Sequence, residues 1–212
     1  MTDVSRETSV LEEHYRDYPG LAAYAGILAT RGVERGLIGP REVPRIWPRH
    51  IGNCAVVAQE EREALPAGAR VADVGSGAGL PGVVWSLVRP DLHLTLIEPL
   101  LRRATFLAGV IDELGLGDRV HVQRSRAEQA DGRHDVVTAR AVARLPQLLQ
   151  WTLPLAQDGG WVIALKGSSA PVEVEEARPL LAALGGSSVD VRTYGTKLLS
   201  EPTTAVLVRR MH

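Results

Sequence analysis

The chain has 212 residues, of which 45% are hydrophobic and 23% are charged, and its formal net charge is −1. This composition is typical of a globular protein with one core and excludes the disordered and fibrous classes. The near-zero charge also excludes nonspecific electrostatic binding of nucleic acid by the whole surface, although local patches of arginine could still bind it. No apolar run approaches the roughly 20 residues of a membrane span, and the acidic N-terminal stretch is unlike a signal peptide. We therefore expect a cytoplasmic protein with no membrane partner.

Residues 1–67 show no alternating β pattern and predict an N-terminal helical extension. Helices are expected from Val4 to Arg16, from Leu21 onwards, and from Ile51 to Glu63. Between the second and third, the prolines from Gly36 to Pro48 indicate a loop or segmented turn. Because the character of the sequence changes near Gly68, we predict that a second domain covers residues 68–212.

Residues 68–212 alternate short β-rich runs with helical stretches, which is the pattern of βαβ units and a mostly parallel sheet. Strands are expected at Arg70–Val74, His93–Ile97, Val120–Gln123, Asp135–Ala139 and Trp161–Leu165. Helices are expected at Pro81–Val88, Leu101–Leu114, Leu145–Leu155 and Glu173–Leu184. The last two strands, Ser188–Thr193 and Thr204–Arg210, leave no room for a crossover helix and therefore predict an antiparallel hairpin.

A glycine-dense turn from Asp73 to Gly82 joins the first predicted strand to a helix. Such glycines let backbone amides approach a ligand, and the helix N-terminus that follows favours an electron-rich group. Gly77, Gly79 and Gly82 formally match the dinucleotide fingerprint, so an NAD-binding oxidoreductase is one alternative. Asp73 argues against it, because a carboxylate would repel a pyrophosphate but attract the ammonium and sulfonium groups of S-adenosylmethionine (SAM).

The strand pattern and this turn together predict the class I SAM-dependent methyltransferase fold. This fold is an α/β, Rossmann-like sheet, mostly parallel with a C-terminal antiparallel hairpin, here preceded by the helical extension. Glu98 ends the second strand, near the spacing at which an acid meets ribose hydroxyls. The expected cofactor-binding residues lie on the turn or at neighbouring strand ends: Asp73, Gly75, Ser76, Gly77, Gly79, Leu80, Glu98, Ala127, Glu128 and Arg140.

Four motifs resemble those of the RsmG family, also called glucose-inhibited division protein B. They are the turn with its Leu-Pro-Gly ending, residues 125–128, residues 140–143 and residues 164–167. The likeness spans roughly Pro48 to Lys166, and an Arg-His-Ile segment at residues 49–51 extends it. Members methylate N7 of a guanine in the 530 loop of bacterial 16S ribosomal RNA. The resemblance therefore implies SAM as cofactor and 16S ribosomal RNA, or the small ribosomal subunit, as partner.

Two departures from the family pattern concern RNA binding. The usual Asn-Leu-Thr appears as Gly36-Leu37-Ile38, and an arginine often found entering the last strand is Thr203. Because of these departures, an RNA-binding module that has lost catalysis remains an alternative. A SAM-dependent methyltransferase that acts on a small molecule is a separate alternative. Basic residues expected to bind RNA are Arg49, His50, Arg126 and Arg144.

Guanine N7 carries a lone pair and no proton at neutral pH, so its methylation needs no general base and depends on positioning. Arg140 and Lys166, at the ends of the fourth and fifth strands, are the expected catalytic residues that orient guanine. Their contact should be to O6 or phosphate, because a donor on N7 would block attack. Trp47, between prolines, is a candidate for stacking on a base.

Cys54 is the only cysteine, which excludes an internal disulfide and any multi-thiolate metal site. His50 lies four residues earlier and could share its helix face, but the remaining histidines are scattered. We therefore expect no metal. The sequence does not indicate an oligomeric state.

Overall fold

The computed structural model describes residues 3–211. Seven strands form one sheet: Arg70–Val74 (β1), His93–Ile97 (β2), Val120–Gln123 (β3), His134–Arg140 (β4), Ala156–Lys166 (β5), Gly186–Tyr194 (β6) and Thr203–Arg210 (β7). Their order is β3-β2-β1-β4-β5-β7-β6, in which β1 to β5 run parallel and β7 pairs antiparallel with both β5 and β6. The predicted fold class is therefore confirmed.

Seven α-helices accompany the sheet within residues 3–211: Asp3–His14 (α1), Pro19–Ile27 (α2), Asn53–Glu60 (α3), Gly82–Val88 (α4), Leu101–Glu113 (α5), Leu145–Thr152 (α6) and Ala170–Ala177 (α7). The predicted helix over residues 173–184 is wrong in its second half. It starts earlier, at Ala170, and ends at Ala177, and only a short 3₁₀ turn, Arg178–Leu180, follows around Pro179. Proline at that position lacks the N–H that an α-helix would need.

The segment expected to be a loop, residues 36–48, is largely helical. A 3₁₀ helix covers Pro40–Arg45, and a π-helical stretch, Ile46–Gly52, leads directly into α3. Pro40 and Pro48 fall near the starts of these short helices, where the missing N–H has no intrahelical partner to lose, whereas Pro44 lies inside the 3₁₀ helix. Trp47 is buried here and stacks on Tyr15 with ring centroids 6.5 Å apart. The prediction that Trp47 stacks on a base is therefore wrong.

Helices cover both faces of the sheet, as expected for parallel strands that are buried on each side. On one face, α6 and α7 pack in a cluster that includes Leu149 and Val174. On the other face, the extension packs with α4 and α5 in one continuous core that contains Leu11, Tyr24 and Trp85. The extension therefore shares a core with the sheet, and the boundary near Gly68 stays a prediction. No helix within residues 3–211 is both long and apolar enough to span a membrane.

Candidate functional site

The glycine-dense turn lies between β1 and α4, at the carboxyl edge of the sheet. Gly75, Gly77 and Gly79 have φ values of 69°, 58° and 99°, a region that residues with a Cβ adopt only with strain. The amide of Gly75 donates to the carbonyl of Ile97 at 2.9 Å, which fixes the turn to β2. A Cβ on Gly75 would lie 2.9 Å from the Val142 side chain, so the backbone here is closely covered. The sequence pattern therefore corresponds to a real constraint on the chain.

Asp73 is fully buried beneath this turn. Its Oδ2 accepts the Gly82 amide at 3.0 Å, whereas Oδ1 has no hydrogen-bond partner among residues 3–211. Burial raises the pKa of the Asp73 carboxyl to about 7. The hydroxyl of Ser76 donates to the main-chain carbonyl of Asp73 at 2.8 Å and braces the turn. A buried carboxylate oxygen without a partner suits a ligand that carries positive charge.

Glu98 is 1% exposed and supports the turn from β2. Its Oε2 accepts the Gly77 amide at 3.0 Å, and its Oε1 accepts the Leu100 amide at 2.9 Å. Each oxygen keeps a further lone pair, so the carboxylate can still accept from ligand hydroxyls. Ala127 is half-buried and Glu128 is exposed, both on a 3₁₀ turn that follows β3. Because β3, β2 and β1 are neighbours, these residues share one edge of the sheet.

Arg140 ends β4, which lies next to β1 where the strand order reverses. Its guanidinium lies 2.8 Å from His50 Nδ1 and donates to Cys54 Sγ at 3.2 Å. Because arginine can only donate, Nδ1 must accept, which leaves the ring proton on Nε2. Burial, helped by the Arg140 charge, lowers the pKa of His50 to about 4. The spacing of His50 and Cys54 therefore serves a contact with Arg140, which sequence reasoning missed.

Lys166, at the end of β5, is almost buried, and two acceptors of the protein hold its ammonium group. Its Nζ donates to Glu173 Oε2 at 2.7 Å and to the Ala143 carbonyl at 2.6 Å. Glu173 also accepts the Leu145 amide at 2.8 Å, so the pair fixes the loop after β4 to α7. An orienting contact from Lys166 to guanine stays a prediction. The supporting role of Glu173 had no signal in the sequence, because it depends on where α7 packs.

A cavity of about 1160 Å³ opens between the extension and the ends of β4, β5 and β7. This exceeds the usual 300–1,000 Å³ of small-ligand pockets. The candidate site residues that line it are Arg49, Arg140, Arg144 and Lys166. Asn53, which the sequence did not single out, and Thr203 line it too, and the Thr203 hydroxyl donates to the Asn53 carbonyl at 2.9 Å.

The four residues expected to bind RNA do not all share this cavity. Arg49 and Arg144 line it, but each also faces an acid, Arg49 at 3.3 Å from Glu42 and Arg144 at 2.7 Å from Glu176. His50 lies behind Arg140, and Arg126 is exposed beyond β3, outside the lining. In the part of the chain that the structure describes, no three metal-ligating side chains come together.

Comparisons with solved structures agree with the sheet topology. The methyltransferase SibL in its apo form has a TM-score of 0.63 and 18% identity, over 81% of this chain and 58% of that chain. The tRNA (m1A58) methyltransferase TrmI from Aquifex aeolicus has a TM-score of 0.58 and 11% identity, over 76% of this chain and 68% of that chain. At such identities the likeness concerns the fold alone.

Sequence comparisons are more specific. The family model described as rRNA small subunit methyltransferase G matches residues 17–201. A ribosomal RNA small subunit methyltransferase G from Pseudarthrobacter chlorophenolicus is 53% identical over 98% of this chain and 96% of the relative. One from Thermobifida fusca is also 53% identical, over 90% of this chain and 79% of the relative. The resemblance seen in the sequence motifs is confirmed, and the chain belongs to the rRNA small subunit methyltransferase G family, also known as GidB.

Proposed function

We propose that the protein is a cytoplasmic, SAM-dependent methyltransferase that methylates N7 of a guanine in the 530 loop of 16S ribosomal RNA. One observation carries the proposal: the glycine-dense turn over the buried Asp73 lies at the same sheet edge as an arginine-lined cavity. The site for the methyl donor and the site for the methyl acceptor therefore adjoin at the ends of the strands where open α/β sheets bind ligands. Membership of the family supports ribosomal RNA as the substrate.

The residues of the turn fit SAM. When bound, SAM supplies an electrophilic methyl group on a sulfonium. The unpaired Oδ1 of Asp73 suits the positive charge of that ligand, and the glycines at positions 75, 77 and 79 carry no side chain that would obstruct it. Glu98 would accept the ribose hydroxyls, while Leu80, Ala127 and Glu128 would border the nucleoside. Among residues 3–211, no arginine or lysine is hydrogen-bonded to Asp73, which favours a cationic ligand over a pyrophosphate.

Arg140 is the proposed group that orients the guanine. Its contacts to His50 and Cys54 use two of five guanidinium N–H groups, which leaves donors for O6 or a phosphate oxygen. The neutral His50 and buried Cys54 hold Arg140 without neutralising its charge. Because guanine N7 needs no base, this fixed orientation is the main chemical contribution that we assign to the chain.

Arg49 and Arg144 are proposed to contact RNA phosphates at the mouth of the cavity, with residues 1–67 as the part of the chain that receives the RNA. Their present partners, Glu42 and Glu176, belong to exposed pairs that contribute little stability and exchange readily. Arg126 would contact RNA only if the substrate extends beyond β3. Lys166 would act on the guanine through the loop after β4 that it holds in place.

A transfer assay tests the proposal. The protein is incubated with SAM labelled on its methyl group and with small ribosomal subunits that lack this modification, or with the free RNA. We expect label in 16S ribosomal RNA, and none with an Asp73→Ala variant. If the protein binds SAM but labels no ribosomal RNA, the proposed substrate is contradicted and a small-molecule acceptor becomes the better reading. If it does not bind SAM, the proposed cofactor is contradicted.

A further inference from the structure

Tyr24 connects the helical extension to the glycine-dense turn. It lies on α2, is fully buried, and its hydroxyl donates to the carbonyl oxygen of Ala78 at 2.6 Å. Ala78 is the residue between Gly77 and Gly79, so the hydrogen bond reaches the middle of the turn. The two partners are 54 residues apart in sequence, and no sequence motif marks either residue as part of a contact.

The contact constrains the turn closely. Burial raises the pKa of the Tyr24 hydroxyl far above its usual value, so the group stays protonated and must donate. A buried hydroxyl without a partner is costly, which favours a fixed position for the Ala78 carbonyl. At Gly79, a Cβ would lie 2.9 Å from the Tyr24 hydroxyl and 2.6 Å from Val83. No side chain can therefore come between the turn and Tyr24.

Tyr24 and Glu98 hold two peptide units of the turn from opposite sides, and the Gly77–Ala78 peptide unit lies between the two that they hold. Glu98 accepts the Gly77 amide from the side of β2, and Tyr24 donates to the Ala78 carbonyl from the extension. With a planar unit held on each side, the Gly77–Ala78 peptide group between them has fewer orientations open to it. These peptide groups are the ones that would face the cofactor.

We propose that Tyr24 is a positioning residue for the cofactor, through which the helical extension completes the SAM site. The inference rests on the proposed function, because it takes SAM as the ligand of the turn. Tyr24 does not contact the reacting atoms. Its hydroxyl fixes the turn in the conformation that binds the ligand, so its loss should weaken cofactor binding and leave the chemical step unchanged.

The test compares Tyr24→Phe with Tyr15→Phe in the full-length chain. Both residues are buried tyrosines of the extension, but the Tyr15 hydroxyl lacks any hydrogen-bond partner in the described part of the chain. Calorimetry measures Kd for S-adenosylhomocysteine, and steady-state kinetics measures KM for SAM and kcat on small subunits. For Tyr24→Phe we expect both Kd and KM to rise roughly threefold to tenfold, the effect of one lost hydrogen bond, with kcat unchanged. Tyr15→Phe should match the wild-type protein.

Melting temperatures of both variants separate positioning from simple structural support. If Tyr24→Phe binds S-adenosylhomocysteine as tightly as Tyr15→Phe, the inference is overturned, even where its melting temperature falls. A fall in kcat at saturating SAM with unchanged Kd also contradicts it. If the wild-type protein itself fails to bind S-adenosylhomocysteine, the proposed function is overturned together with the inference.

Discussion

Replacing Asp73 by asparagine should remove a pH dependence from cofactor binding. In the free protein, burial raises the carboxyl pKa from 3.8 to about 7. That shift corresponds to about 4 kcal/mol that disfavours the charged form. A cationic ligand beside the unpaired Oδ1 recovers part of this free energy by pairing with the carboxylate. Ligand binding should therefore be coupled to loss of the Asp73 proton.

The direction and size of the effect follow from this coupling. Below the free pKa the proton must leave before the ion pair forms, so affinity falls as pH decreases and levels off above about pH 7. With the bound-state pKa well below 5, S-adenosylhomocysteine should bind roughly fifteenfold more weakly at about pH 5.5 than at about pH 7. Its α-ammonium supplies the positive charge. His50, with a pKa of about 4, stays neutral throughout this range and adds no slope.

Calorimetry across this pH range, in buffers of different ionisation enthalpy, measures both the affinity and the protons released. The Asp73→Asn variant should bind more weakly near neutral pH and show almost no pH dependence between about 5.5 and 8. If affinity changes equally with pH in the variant and in the wild-type protein, the assignment of the titration to Asp73 is refuted. If the affinity of the wild-type protein does not change with pH, either the raised pKa of Asp73 or its ion pair with the ligand is refuted.

Two further substitutions test the acceptor side of the site. Arg140→Ala should lower kcat at saturating SAM about 100-fold, because the guanine is no longer oriented, whereas Arg70→Ala at the opposite end of the sheet should leave kcat unchanged. A normal kcat for Arg140→Ala would contradict the role of Arg140. Lys166→Met leaves Glu173 buried without its cation and should lower the free energy of unfolding, measured with urea, by about 3–5 kcal/mol. Lys197→Met should leave this free energy almost unchanged. Unchanged stability would show that the pair does not hold the loop.

The sheet could be predicted from the sequence because its strands are short apolar-rich runs that alternate with helical stretches. The bounds predicted for β1, β2 and β3 agree with the structure, since β-branched and aliphatic residues recur along each short run between turn residues. The segment of residues 36–52 was harder. Its prolines indicate a loop locally, but packing against α1 and α3 favours a 3₁₀ helix that begins at Pro40 and a π-helical stretch that includes Pro48.

The candidate site was predictable in its positions but not in its side-chain contacts. The carboxyl end of each parallel strand is fixed by topology, so Arg140 and Lys166 could be assigned to one edge. Arg140 contacts residues 86 and 90 positions away, which no local pattern encodes. The same is true of Tyr24, whose partner in the turn depends on how the extension packs. Buried polar contacts between distant segments are therefore what the structure adds.

The central claim is that the cofactor turn and the arginine-lined cavity act together on one guanine N7. Mapping the modified nucleotide tests it most directly, because 7-methylguanosine becomes cleavable by aniline after borohydride reduction. Small subunits treated with the protein and SAM should yield a single new cleavage within the 530 loop of 16S ribosomal RNA, absent with Arg140→Ala. Cleavage elsewhere, or a methyl group on another atom or base, would contradict the account.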